Sequence, residues 1–320
     1  KNIQKDIVSG IIVALVSIPI SMGYSQIAGL PAVYGLYCSI LPVLIYGFVT
    51  SSPQFVFGVD ATPAALVGGT LATLGIVSGS EEAKAVVPAI TLVAALWLLL
   101  FFFIKAGRIV NYISTPVMGG FISGIGVTII LMQAAKLFGG NAGTGEAIQL
   151  VMHIAGEFGS FNLLSAVLGV GTVVIILVAK KFIPKFPMSV LLMVLGALAT
   201  AIFHIDRFGV KLLPHVDKGL PGFSLPDMSV VLKNPSEIIL LGLSVAGVVM
   251  AQTLLATNNY ANKYGYKVSN NREILAYAAA NAASAVIGGC PLNGSVSRTG
   301  IADQFGCKSQ FMSITAYLTT

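Results

Sequence analysis

Residues 7–27 form an apolar run about as long as a bilayer is thick, and runs of that kind recur along the whole chain. A helix that crosses a bilayer needs about 20 mostly apolar residues. By that measure the chain offers spans at 7–27, 32–49, 60–77, 86–104, 117–137, 163–179, 188–203, 238–257 and 274–288. A short span follows at 295–305, and another starts at Phe311. The apolar residues come in blocks and not as amphipathic stripes, which makes lipid the expected solvent. Composition agrees: only 9% of the 320 residues are charged, where a soluble domain carries about 25%. The first block is too long for a cleavable signal peptide and is followed by others like it. The chain starts at Lys1 and stops at Thr320 inside an apolar run, so it reads as a piece of a longer protein.

The basic residues lie between the apolar blocks. With a cytoplasmic N-terminus, the inside segments hold Lys1 and Lys5, Lys105 and Arg108, Lys180, Lys181 and Lys185, then Lys263, Lys267 and Arg272. Outside loops are poor in base: Ser25 to Pro31 has none, Glu81 and Glu82 outweigh Lys84, and Glu146 and Glu157 follow Lys136. That alternation obeys the positive-inside rule. The net charge of +6 therefore reflects topology, and no nucleic-acid motif accompanies it. Cys38, Cys290 and Cys307 form no CxxC pair and read as small buried side chains. His153, His204 and His215 lack metal-ligand spacing, so no metal or cofactor site is expected. Gly120 and Gly124, beside Gly119 and Gly126, form a GxxxG that reads as close helix packing. The sequon Asn293-Gly294-Ser295 sits between apolar helices and is not expected to carry glycan.

Two charges depart from the loop pattern, Asp60 and Arg298. Each stands at the start of a short apolar helix preceded by helix breakers. Ser51-Ser52-Pro53 and Gly58 precede Asp60; Gly288-Gly289-Cys290-Pro291 and Gly294 precede Arg298. Gly58-Val59-Asp60-Ala61-Thr62-Pro63 and Gly294-Ser295-Val296-Ser297-Arg298-Thr299 have similar layouts. A helix that begins inside the membrane aims unpaired N–H groups and roughly half a positive charge at whatever lies ahead. Paired, interrupted segments in separate halves of a chain point to a transporter site. Ala61, Thr62, Ser295, Val296 and Ser297 are therefore expected to supply donors around an anion, with Arg298 as its cationic partner. An Asp60–Arg298 pair would offset part of the cost of the buried arginine when the site is empty. Pro19 is expected to break the first span and bring Ser21 and Tyr24 to the same depth. Gln252, with Thr253 and Thr257, places polar groups on the otherwise apolar eighth span.

These residues resemble the SulP family of anion transporters, the sulfate permeases. Ile18-Pro19 through Met22-Gly23-Tyr24-Ser25, Ala28-Gly29-Leu30-Pro31 and Tyr34-Gly35-Leu36-Tyr37 are similar to the first family signature. Asn271-Arg272-Glu273 and Gly288-Gly289-Cys290-Pro291 through Ser297-Arg298-Thr299 are similar to the second. The resemblance runs along essentially the whole chain. It implies an all-α polytopic membrane protein, a seven-plus-seven inverted-repeat transporter fold of which about eleven segments are here. It implies a core domain (1–110 and 236–320) that slides against a gate domain (111–235), with the anion between the third and tenth segments and the first and eighth completing the site. A homodimer and a cytoplasmic STAS domain beyond this chain are also implied. Val59 and Ala32 stand where the family usually has Pro, and Gln252 where many members carry an acid. That last departure puts sodium coupling in doubt and leaves Asp60 as the one membrane-buried acid expected.

The function expected from these observations is secondary transport of a small anion such as sulfate, bicarbonate, chloride or a dicarboxylate, with proton symport through Asp60. An uncoupled channel or exchanger is the alternative. A nucleobase permease of the same fold is disfavoured by the Ser297-Arg298 pair, and an intramembrane enzyme by the lack of a second catalytic group beside Asp60.

Overall fold

The computed structural model describes residues 2–108, 115–143, 147–183, 186, 188–212, 219, 222–223 and 225–320. Lys1, Glu146, Lys185 and His215, named above, lie outside the described residues, as does the 110–111 boundary. The helices are α1 (Asn2–Ile27), α2 (Val33–Cys38), α3 (Leu41–Val49), α4 (Ala61–Thr73), α5 (Glu81–Phe103) and α6 (Thr115–Ala134). They continue with α7 (Ala147–Gly156), α8 (Leu163–Phe182), α9 (Met188–Phe203), α10 (Ser229–Lys233) and α11 (Pro235–Tyr264). The last three are α12 (Asn270–Val286), α13 (Val296–Gln304) and α14 (Phe311–Thr319). Strands β1 (Phe57–Val59) and β2 (Leu292–Gly294) precede α4 and α13. Among the described residues, α1, α5, α8 and α11 carry stretches long and apolar enough to cross a bilayer unaided.

The chain forms two compact units, Lys1–Ser123 with Lys218–Thr320, and Gly124–Asp217. In the first, α12 packs on α5 and α3, α1 on α14 and α2, and α11 on α5 and α4. The apolar windows of α5 and α11 are each 56% buried by these neighbours. In the second unit α8 packs against the 3-10 turn Ala135–Phe138, and Phe138 stacks on Phe158 at 5.2 Å. The α8 window is only 11% buried, yet its surface is Val, Leu and Ile. An apolar helix with that much open surface suits hydrocarbon and not water.

Four expectations need correction. First, α1 runs unbroken through Pro19. A proline removes one donor and crowds the carbonyl four residues back, and the flanking turns, packed on α2, α13 and α14, hold the helix together. Second, the span 32–49 is two helices. Ile40 departs from helical geometry (φ −97°, ψ −93°), and Pro42 then opens α3. Third, α7 occupies residues read as loop; ten residues are too few to register as a span. Fourth, a Cβ built on Gly119, Gly120, Gly124 or Gly126 meets nothing within 4 Å, so the GxxxG makes no close packing with any described residue.

β1 and β2 pair antiparallel, with Phe57 opposite Gly294, Gly58 opposite Asn293 and Val59 opposite Leu292. Three residues make a weak strand, and side chains on every side hold this pair. Phe57 packs against Tyr46 of α3 (4.7 Å between centroids) and Tyr277 of α12 (5.3 Å), and the two tyrosines lie 6.2 Å from each other, so the three rings form one cluster. Asn281 on α12 donates to the Leu292 carbonyl (3.3 Å) and accepts from its N–H (2.8 Å). Behind the aromatic stack, the fully buried Glu273 accepts from Thr50 Oγ1 (2.8 Å), Ser51 N (2.5 Å), Ser51 Oγ (2.7 Å) and Ser52 N (3.1 Å). Tyr46 and Tyr277 hydroxyls point at the same carboxylate (3.3 and 3.4 Å). Glu273 thus ties α12 to the chain just before β1.

Candidate anion site

The strand pair brings the starts of α4 and α13 together. Asp60 is the N-cap of α4, in extended geometry (φ −139°, ψ 161°), and Ser295 is the N-cap of α13 (φ −105°, ψ 106°). The first intrahelical bonds run from Ala64 N to Asp60 O and from Thr299 N to Ser295 O. Ala61 and Thr62, and Val296, Ser297 and Arg298, therefore carry N–H groups with no intrahelical acceptor. Pro63 has no N–H to offer. Ser295 N donates to Val56 O at 2.9 Å, and Val56 N donates to Thr299 Oγ1 at 3.0 Å, which extends the crossing beyond the strands.

Arg298 is 2% exposed. Its Nη2 donates to the Val59 carbonyl at 2.6 Å and stands 3.8 Å from Asp60 Oδ1. The guanidinium of one half of the chain thus reaches the strand–helix junction of the other. It lies across Gly58, where a Cβ would meet Nη1 at 2.9 Å, so the glycine makes the approach possible. Arg298 Nε is buried without a hydrogen-bond partner among the described residues, and Arg298 lines a cavity of about 20 Å³ together with Ser17, Ser39 and Ser313. The Asp60 side chain is 15% exposed, and Ser295, Asn293 and the Ala61 N–H are its polar neighbours.

The structure brings most of the expected residues together. Asp60, Ala61, Thr62, Ser295, Val296, Ser297 and Arg298 all sit at the two helix starts. Ser295 Oγ lies 3.3 Å from Ser297 Oγ, Thr62 is buried, and Val296 and Ser297 are exposed. Tyr24 lies within electrostatic range of Asp60 and Arg298. Gln252 Oε1 accepts from Asn293 Nδ2 at 2.7 Å, which joins α11 to the site. Ser21 is fully buried and accepts from Ser39 Oγ at 2.9 Å, so it ties α1 to the α2–α3 turn. The sequence reading missed three supporting residues. Asn293 was visible only as part of a sequon, Thr253 only as a polar residue on α11, and Asn281 carried no signal. Nor is Asp60 the sole buried acid: Glu273 is fully buried, and Asp6 is 1% exposed.

The geometry is a cluster of unpaired donors around one guanidinium with a single carboxylate as internal counter-charge, which suits an anion. The model of the sulfate permease family matches residues 3–320. A probable sulfate transporter of Mycobacterium tuberculosis is 27% identical over 315 residues, covering 98% of this chain and 56% of the relative. Sulfate transporter 2.2 of Arabidopsis thaliana is 27% identical over 330 residues, covering 99% and 48%. The chain spans about half the length of these relatives. Among solved structures, the murine Slc26a9 anion transporter in its inward-facing state superposes with a TM-score of 0.89 at 21% identity, over 100% of this chain and 56% of that one. The transmembrane domain of the cyanobacterial bicarbonate transporter BicA superposes with a TM-score of 0.85 at 19% identity, over 99% and 80%. The all-α transporter fold is thus shared, and the relatives are transporters, not enzymes. On the match along nearly its whole length, the chain is a multi-pass membrane protein that belongs to the sulfate permease family.

Proposed function

We propose that this chain is the carrier part of a secondary transporter that moves a small oxyanion, sulfate in the first instance, by holding it between the starts of α4 and α13. The carrying observation is the buried Arg298 guanidinium at that junction, 3.8 Å from its only carboxylate neighbour among the described residues. Residues 1–110 and 236–320 would move with the anion against 111–235, in a cell membrane with the N-terminus cytoplasmic. A homodimer and a following STAS domain complete the proposal.

Asp60 would act as a stand-in for the anion. In the empty site it is the counter-charge of Arg298; when an anion enters, two negative groups share one arginine, and a proton on Asp60 relieves the conflict. That is the basis for proton symport. The non-titrating Gln252 supports a second reading, an uncoupled exchanger or channel. The test is radiolabelled sulfate uptake by the full-length protein in vesicles, with competition by hydrogencarbonate, chloride and uracil. Saturable uptake of labelled uracil, uninhibited by sulfate, with no uptake of sulfate would replace the anion reading with a nucleobase one. A Nernstian current with no saturable uptake would replace carrier with channel.

A further inference from the structure

The cavity of about 20 Å³ that Arg298 lines is walled by α1, the α2–α3 turn, α3, β1 and α14, and Ser17, Ser39, Ser313 and Thr320 are its other polar lining residues. Arg298 and the three serines are buried, so none of them relies on bulk solvent. Two of these groups have hydrogens to give. Arg298 Nε has no acceptor among the described residues, and Ser17 makes no hydrogen bond to any described residue. Two others have only lone pairs left. Gln310 Nε2 donates to the Ser52 and Phe55 carbonyls (2.8 and 3.0 Å), which fixes Oε1 as the accepting end of that amide. Ser313 Oγ therefore gives its single hydrogen to Gln310 Oε1 at 2.5 Å. Ser39 Oγ has one hydrogen and two acceptors in reach, Gly35 O at 2.8 Å and Ser21 Oγ at 2.9 Å, so it has none to spare. Thr320 Oγ1 is occupied by the Ala316 carbonyl at 2.9 Å.

The lining thus combines donors from Arg298 and Ser17 with acceptors on Ser39 and Ser313. That combination selects the occupant. A monatomic anion would take the donors but has nothing to give the lone pairs of Ser39 and Ser313. A water accepts and donates, so it satisfies both kinds of group. A buried water needs roughly 10–15 Å³ of space and two to four polar partners, and this cavity supplies room for one. A purely apolar cavity of the same size would stay dry. Here a charged donor is part of the wall, and leaving such a donor unpaired in the interior is costly.

We propose that this cavity is a water site, in which one ordered water accepts from the Arg298 guanidinium and Ser17 and donates to Ser39 and Ser313. The three serines are then positioning residues for Arg298, acting through the water from α1, the α2–α3 turn and α14. The guanidinium is held by two acceptors that belong to the fold, the Val59 carbonyl (2.6 Å) and the water, so its place does not depend on a bound anion. The water site stands on the cavity alone; its effect on anion affinity rests on the anion reading of Arg298.

The direct test is a density map of the full-length protein at a resolution that shows ordered waters. One peak is expected in the cavity, within about 3.2 Å of a guanidinium nitrogen and of at least two of the three serine oxygens. A cavity without density would overturn the proposal. So would an anomalous peak there in crystals grown with bromide in place of chloride, because the occupant would then be an anion. Equilibrium binding of radiolabelled sulfate tests the positioning role. Ser17→Val removes a hydroxyl and fills space, so it should expel the water and weaken sulfate several-fold. In an Arg298→Lys background, which has no guanidinium to hold, the same change should leave affinity within about twofold. Equal losses in both backgrounds, or no loss in the wild-type background, would overturn the positioning role. If Ser17→Val does not fold, Ser313→Ala removes one acceptor and carries the cycle. If Arg298→Lys binds no sulfate, the Ser17→Val map decides: a displaced guanidinium supports the role and an unmoved one overturns it. Failure of the anion reading looks different: wild type would bind none of sulfate, chloride and hydrogencarbonate, and the water peak would remain.

Discussion

Replacing Asp60 by Asn should make the protein bind its anion more tightly and release it more slowly. The carboxylate stands 3.8 Å from Arg298 Nη2. At the effective dielectric constant of about 20 that suits such sites, two unit charges at that distance interact by roughly 4 kcal/mol. An anion seated beside Arg298 lies at a comparable distance from Asp60 and meets a repulsion of similar size. The 15% exposure of Asp60 screens part of it. Asp60 also occupies the neighbourhood of Ala61 N–H, Ser295 and Asn293, donors that the anion would use. A net gain of about 1.4–2.8 kcal/mol on Asp60→Asn corresponds to anion binding tighter by about 10–100-fold. The empty carrier then holds an uncompensated buried arginine, which is costly. Its return step should slow, so net uptake into empty vesicles should fall while exchange into anion-loaded vesicles persists. The assay is sulfate binding together with those two uptake formats, each with and without an inward proton gradient at fixed outside pH. Weaker binding by Asp60→Asn would refute the stand-in argument and make the carboxyl a direct ligand. A gradient that stimulates wild type and Asp60→Asn equally, or neither, would remove Asp60 from coupling.

Arg298→Ala should weaken anion binding at least about tenfold, or about 1.4 kcal/mol, and unchanged affinity in a folded variant would count against the site. Gly58→Ala should displace the guanidinium, whose Nη1 would lie 2.9 Å from the new Cβ; we expect several-fold weaker anion binding with normal expression and size-exclusion behaviour. Glu273→Ala strands the hydroxyl and N–H donors of Thr50, Ser51 and Ser52 in the interior. Each buried donor left without a partner costs about 1–3 kcal/mol, and each kcal/mol lost lowers the unfolding midpoint in detergent by roughly 2–4 °C. A midpoint within roughly 2 °C of wild type, the scale of a neutral change, would show that another group holds these donors.

The apolar blocks made the helices legible because lipid leaves little freedom in how they are written. α9 occupies 188–203 as expected, and α14 begins at Phe311. The helix starts at Asp60 and Ser295 were legible for a different reason: breakers next to a charge in an apolar setting are costly, so their presence carries information. What stayed hidden depends on partners far off in the chain. Three-residue strands have no periodicity to read, and Phe57 looks like any apolar residue until Tyr46 and Tyr277 close on it. Asn293 is one polar residue among many until Thr253, Gln252 and Asp60 surround it. Pro19 misled because local rules assign prolines a break, while α1, packed on three neighbouring helices, stays helical through it.

The pairing of Phe57 with Gly294 also bears on how the protein is made. The two residues are 237 positions apart by their numbering, and a ribosome adding about 5–20 residues per second separates them by roughly 12–50 s. Through that interval the first half of the chain has its helices but lacks the strand, the arginine and half of the donors. A nascent chain that stalls before residue 294 therefore presents an unpaired strand edge and an unopposed Asp60, features that quality control in the membrane can recognise. Only a chain synthesised past Arg298 can close this clasp, because the strand partner at 292–294 and the counter-charge at Arg298 lie in the same short stretch.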